Sequence, residues 1–218
     1  AAVTILPHRG LPAGTPDEVA DAFADDYPDV AFPSGAVVSP ESAGDHAADL
    51  TVLSGATGYV GHGSAFVDAL TTVKDAVPAD TALYLPGVAT PRNVATLVYA
   101  GVDLVDPHRA VIRGTEGRYL TTDEAYFLED LEELPCACPA CQQPRDSFDR
   151  SDCAEHNVHA LAAELARVRR RVRDGRLRDY VEGQARQDNW LTATVRILDQ
   201  RYGYVEQRTP LIRRAELA

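Results

Sequence analysis

Residues 82–106 read Ala-Leu-Tyr-Leu-Pro-Gly-Val-Ala-Thr-Pro-Arg-Asn-Val-Ala-Thr-Leu-Val-Tyr-Ala-Gly-Val-Asp-Leu-Val-Asp, a strand, a helix and a second strand. Ala82–Leu85 and Val102–Val105 are apolar runs of strand length. Between them Thr90 and Pro91 read as helix N-cap and first helical residue, and Val94, Leu97 and Val98 line one helical face. Gly101 stands where a helix C′ residue belongs, one step before the second strand. Two strands joined by one helix make a βαβ unit, whose strands run parallel.

The same grammar extends towards the N-terminus. Val3–Leu6, Val30–Phe32 and Leu50–Leu53 are further strand candidates. Thr15, Pro16 and Glu18 repeat the helix-start signal, and Phe66, Leu70, Val73 and Val77 form another apolar stripe. A (βα)8 barrel needs eight such units and about 250 residues. The expected class is therefore α/β, with either a small open parallel sheet or part of a TIM-like barrel, and a start at Ala1 without methionine fits a fragment. From Ser151 onward the pattern is helical. Val158, Leu161, Leu165, Val168 and Val172 share one face, with Gly175 as the stop. Leu191, Val195, Leu198, Tyr202 and Val205 share another, behind Asp188 and Asn189 as cap candidates.

The chain has 218 residues and a formal charge of −12, with 45% hydrophobic and 25% charged residues. That is an ordinary globular composition, long enough for a real core. No apolar run approaches the ~18 residues of a membrane-spanning helix, and no signal peptide is visible. Cytoplasmic residence is the expectation. The acidity argues at first against a nucleic-acid partner, but it is segregated. Residues 1–166 sum to −18 and residues 167–218 to +6. Lys74 is the only lysine, so the basic groups are nearly all arginine. An acidic, Arg-not-Lys surface is the halophilic style, in which surface charge keeps a protein soluble in strong salt.

Cys136, Cys138 and Cys141 put three thiols within six residues on a Pro-containing turn, well placed to converge on one soft cation. Tetrahedral zinc asks for a fourth donor, and Cys153, His156 and His159 are in reach. Three Cys with His156 make a closed set, which points to a structural rather than a catalytic ion. A reduced thiol cluster or a disulfide is the alternative. The Gly-rich run from Gly55 to Gly63, ahead of a helix, is a candidate for anion binding at the helix N-terminus, with a flexible loop as the alternative. Arg167, Arg169, Arg170, Arg171 and Arg173 are candidate RNA-phosphate ligands, since arginine grips phosphate in a bidentate fashion. The alternative for them is a solvated helix face.

Taken together, these strings resemble the tRNA-guanine transglycosylase superfamily. Cys-x-Cys-x2-Cys followed by His156-Asn157 on a helix resembles its zinc subdomain. Tyr84–Pro91 resembles its Tyr-Leu-x-Gly-Val-Gly-x-Pro segment, and Gly101–Asp106 its Gly-Val-Asp-x-Phe-Asp strand. The opening Val3–Arg9 and the lack of the Asp-Ser-Gly-Gly base-recognition string are closer to the archaeosine-synthase branch. The resemblance implies a partial (βα)8 barrel with a zinc-binding subdomain and C-terminal helices, acting in archaeosine biosynthesis on tRNA that carries a 7-deazaguanine base. It implies parts at 1–125 (barrel-like), 126–160 (zinc) and 161–218 (Arg-rich), and pairing of two copies through the zinc part. Asp106 then falls in the seat of the nucleophile, or is a structural carboxylate beside Arg109. Asp103 supports the strand end. Pro86 and Gly87 fall beside the base, with Arg109 and Arg113 towards the ribose or phosphates. A non-catalytic tRNA-holding module and, outside the family, a zinc-ribbon interaction domain are the competing readings.

Overall fold

The computed structural model describes residues 4–6, 33–45 and 48–208. Five strands, β1 (Thr4–Leu6), β2 (Ser34–Val38), β3 (Leu50–Leu53), β4 (Ala82–Leu85) and β5 (Leu104–Val105), form one sheet in sequence order. Every neighbouring pair is parallel. A parallel sheet that never reverses its order has all its crossovers turning the same way. This is the winding of a βα-barrel segment rather than of a doubly wound sheet. The strand expected at Val30–Phe32 and the helix expected from Thr15 lie outside the described residues. β2 was not expected: Ser-Gly-Ala-Val-Val is too small and too mixed to read as a strand.

The β4 pattern explains how the sheet divides its faces. Leu83 and Leu85 are fully buried, whereas Ala82 and Tyr84 are only half-buried. Helices α1 (Gly63–Ala76) and α2 (Val94–Tyr99) follow β3 and β4. Phe66, Leu70, Val73 and Val77 are all buried, as their spacing requires. Thr90 and Asn93 close the turn ahead of α2 reciprocally, Thr90 N donating to Asn93 Oδ1 at 2.8 Å and Asn93 N to Thr90 Oγ1 at 3.3 Å. The helix itself starts at Val94 behind Asn93, three residues later than the Thr90–Pro91 signal suggests. Gly101, at φ 101°, ends that helix as expected. Asp103 then ties β5 to its neighbours, accepting from Leu83 N at 2.8 Å and pairing with buried Lys74 at 3.2 Å.

The chain continues through α3 (His108–Thr115), a hairpin of β6 (Arg118–Leu120) and β7 (Ala125–Phe127), and the cysteine turns. Four helices follow: α4 (Arg150–Arg173), α5 (Leu177–Ala185), α6 (Asn189–Gln200) and α7 (Tyr202–Arg208). α4 packs on α3, α5 on α2, and α6 on α1. Leu161, Val168, Leu191, Val195 and Leu198 join the main core, but Val172 at the end of its stripe is exposed. The second stripe is also interrupted. The chain breaks at Arg201, and the change of phase exposes Tyr202 while burying Tyr204 and Val205. A smaller core holds Tyr119, Leu128, Ala140, Cys141, Phe148 and Cys153.

Asp188 caps α6 as expected, accepting from Trp190 N at 2.8 Å and Leu191 N at 3.2 Å. Asp188→Ala should cost about 1 kcal/mol, the usual value of such a cap, and Asp188→Asn much less. Urea unfolding checks this, and equal midpoints for wild type and Asp188→Ala would contradict it.

Candidate functional site

The thiols converge as their spacing suggested. The ligand atoms of Cys136, Cys138, Cys141 and His156 all lie within 4.8 Å of one another. His156 Nδ1 is 3.3 Å from Cys141 Sγ and 3.5 Å from Cys138 Sγ. Zn–S near 2.3 Å and Zn–N near 2.0 Å give tetrahedral edges of roughly 3.5 Å between donors, so these separations match one shared ion. The other ring nitrogen is committed elsewhere: His156 Nε2 lies 3.0 Å from the Leu120 carbonyl. That bond places the proton on Nε2 and leaves the Nδ1 lone pair facing the thiols, the usual arrangement of a metal-bound imidazole. Burial lowers the His156 pKa, keeping the ring neutral. Burial also pushes Cys141 up to about 12 and raises Cys138. A cation is what would turn this dry thiol pocket into thiolates.

The scaffold around the cluster was not legible beforehand. Asp149 and Asp152 form a capping box that starts α4 ahead of its apolar stripe and points His156 inward. Tyr119 stacks on His156 with centroids 3.7 Å apart, and its hydroxyl lies 3.3 Å from Cys141 Sγ. Asn157 donates to the carbonyls of Ala110 and Arg118 and accepts from Leu120 N, tying α3 and β6 to α4. The other two candidate donors stay outside. Cys153 is fully buried in the small core, and His159 faces Glu155 at 3.5 Å.

Asp106 follows β5, at the C-terminal end of the parallel sheet, where α/β proteins place their ligands. Its Oδ2 accepts from Gly87 N at 2.7 Å and from the Tyr84 hydroxyl at 2.8 Å. Its Oδ1 accepts from His108 N at 2.8 Å and lies 2.7 Å from His108 Nδ1. Burial works to raise this carboxyl, but the two amides, the Tyr84 hydroxyl and the His108 ring outweigh it and hold the pKa below the ordinary value. Tyr84 is pushed up to about 12, by burial first and then by Asp106. Tyr84 and His108, not Arg109, are therefore the side-chain partners of Asp106, and the loop-like Asp-Pro-His string did not announce the second. Gly87 has φ 66°, so it makes the βα turn and aims its amide at Asp106; half-buried Pro86 precedes it.

The arginines divide. In α4, Arg167 pairs with buried Glu164 and Arg170 with Asp174, while Arg171 lies over the Tyr180 ring. Arg169 and Arg173 are exposed and make no ion pair among the described residues. Arg113 pairs with Glu116 at 2.9 Å, whereas Arg109 is half-buried. Gly63 serves helix packing: a Cβ there would lie 3.2 Å from Ala193 Cβ and 3.3 Å from Thr194 N. Among the described residues no helix is long and apolar enough to cross a membrane.

Residues 39–189 match the family described as queuine tRNA-ribosyltransferase. The chain is 64% identical over 215 residues to the archaeosine synthase of Haloferax volcanii, covering 99% of this chain and 37% of that protein. It is 37% identical over 227 residues to archaeosine synthase subunit alpha of Methanosarcina acetivorans, covering 98% and 36%. The tRNA-guanine(15) transglycosylase of Haloferax volcanii is 38% identical over 128 residues, covering 55% and 25%. The chain thus spans little more than a third of the length of the first two relatives.

Proposed function

The chain belongs to the queuine tRNA-ribosyltransferase family, and from that membership we propose that it is the transglycosylase-like part of an archaeosine-synthase-type enzyme, acting on tRNA that carries a 7-deazaguanine base. Asp106 is its reacting carboxylate, and the observation that carries this role is the asymmetry of its two oxygens. Oδ2 is clamped from inside by Gly87 and Tyr84. Oδ1 faces the His108 ring, whose side chain is 73% exposed while that of Asp106 is only 10% exposed. When the His108 ring swings outward, Oδ1 keeps only the His108 backbone amide and opens one lone pair to solvent, without disturbing the clamp on Oδ2. An ionised oxygen so placed can attack the ribose C1′, forming a glycosyl ester as the C1′–base bond breaks, as carboxylates do in retaining glycosidases. Pro86 and Gly87 border the base, and Arg109 and Arg113 face the ribose–phosphate side.

Cys136, Cys138, Cys141 and His156 hold a structural zinc in this reading, and the zinc part is the surface through which two copies pair. The parts 1–125, 126–160 and 161–218 divide the work into base site, metal support and RNA contact, with α4 running through the last boundary. Arg169 and Arg173 are the α4 side chains best able to meet phosphate, and Arg167, Arg170 and Arg171 border them. The charge of −12 fits a cytoplasm of high salt.

A second reading has its own support: all four contacts of Asp106 are filled, as in a carboxylate that only shapes the site of a non-catalytic tRNA-holding module. Denaturing gels of the chain with tRNA separate the two. A covalent adduct that disappears in Asp106→Ala is the expected result. Equal tRNA retention with no adduct in either protein would leave only the holding role.

A further inference from the structure

A cavity of about 180 Å³ opens between the turn before α2, the first turns of α3, the β6–β7 hairpin and the start of α6. Its walls are of two kinds. Val60, Leu120, Leu191 and the Trp190 indole are apolar, and three arginines, Arg92, Arg109 and Arg113, stand around them. Arg92 donates to the Gln187 carbonyl and lies 3.6 Å from Asp188, and Arg113 has Glu116. The Arg109 side chain makes no hydrogen bond or ion pair among the described residues. Burial first and then the nearby Arg113 charge lower its pKa, only partly offset by Glu116, which is already paired with Arg113; this describes a cation short of solvent and of a counter-ion of its own. The two acids of the lining cannot serve it. Asp188 is taken by α6 and Arg92, and Glu124 makes no ion pair with Arg109 among the described residues. Two N–H donors of the lining, Trp190 Nε1 and Arg92 Nε, are buried without an acceptor.

An unsatisfied cation and orphaned donors beside an apolar hollow ask for a ligand with a flat apolar body, acceptor atoms and an anionic group. Phosphate alone would waste the apolar wall, and a neutral ring alone would leave Arg109 desolvated and unpaired. A nucleotide meets both demands. RNA-binding sites take single-stranded bases in this way, stacked on aromatic or guanidinium planes with the phosphate on arginine. We propose that this cavity receives one unstacked nucleotide of the RNA strand, its base against Trp190 and Leu191 and its phosphate on Arg109. The proposal rests on the tRNA reading above and deepens it. Arg109, the second residue of α3, lies only three residues beyond Asp106, so the captured nucleotide would position the strand that presents its neighbour to the carboxylate.

Trp190 is the only tryptophan, so its emission reports this cavity alone. Adding AMP to the full zinc-loaded chain should quench it saturably, and tRNA should displace the AMP. Adenosine or inorganic phosphate should need about tenfold higher concentration, because each lacks half of the contacts. Arg109→Gln should weaken the AMP response about tenfold. Ala125→Phe, at an exposed hairpin position that lines the cavity, should abolish the response with an unchanged far-UV spectrum. Phosphate acting as well as AMP, tRNA binding without displacing AMP, an undiminished response in Arg109→Gln, or no saturable response would each overturn the proposal. Filter retention of tRNA, measured in parallel, keeps the two readings apart. Retention without an AMP response removes the cavity and leaves the tRNA reading, whereas an AMP response without retention removes the tRNA reading.

Discussion

Cys141→Ser is expected to lose stoichiometric zinc and to lower the thermal midpoint by about 10 °C, at roughly 2–4 °C per kcal/mol for a chain of this size. The small core explains the size of the effect. It consists of Tyr119, Leu128, Ala140, Cys141, Phe148 and Cys153, too little apolar surface to fold around unaided. An ion joining Cys136, Cys138 and Cys141 to His156 would fix a turn otherwise made of short 3-10 segments onto the first turns of α4. Binding energy at such a site is folding energy. Cys153→Ala is the control, because Cys153 shares the same core but lies outside the ligand cluster. It should keep its zinc and lose only packing. Elemental analysis with circular-dichroism melts decides the matter, and full zinc content in Cys141→Ser would show the ligand set to be wrong.

That cluster was legible because ligand chemistry depends on residue type and spacing, and Cys-x-Cys-x2-Cys shows both. The supports of the cluster were not, because they act through backbone atoms. The Leu120 carbonyl that selects the His156 tautomer and the Asn157 contacts to three backbone groups leave no trace in residue type. The strands divide along the same line. Leu50–Leu53 and Ala82–Leu85 are found at their expected bounds, since apolar runs between turn residues have few other uses. Ser34–Val38 went unread because a strand packed between two others can be built of small residues. Helix α3 was hidden for a different reason. It opens behind Pro107 and contains Gly114, both of which suggest a loop, and its hold on the fold comes from packing against α4 rather than from propensity.

Gly114 is the point where that packing is tightest, and among the glycines whose surroundings are described Gly114→Ala should be the most damaging change. A Cβ there would lie 2.3 Å from Ala154 Cα and 2.5 Å from Ala154 N. Backbone atoms cannot rotate away as a side chain can, so α3 and α4 must separate. Overpacking costs typically 1–3 kcal/mol, and a clash with backbone belongs at the top of that range or above it. The displacement would also spread. Ala154 lies two residues before His156 and three before Asn157, whose Nδ2 holds the Ala110 carbonyl of α3. Gly114→Ala should therefore lower the urea midpoint and weaken zinc retention together. Gly183→Ala is the matched comparison. Gly183 lies within α5, and a Cβ there meets nothing within 4 Å, so the change should stabilise by about 0.5–1 kcal/mol through helix propensity alone. If the two variants unfold at the same urea concentration, the close α3–α4 approach is wrong. If Gly114→Ala loses stability while its zinc affinity is untouched, then α3 packs on α4 without helping to position the metal site.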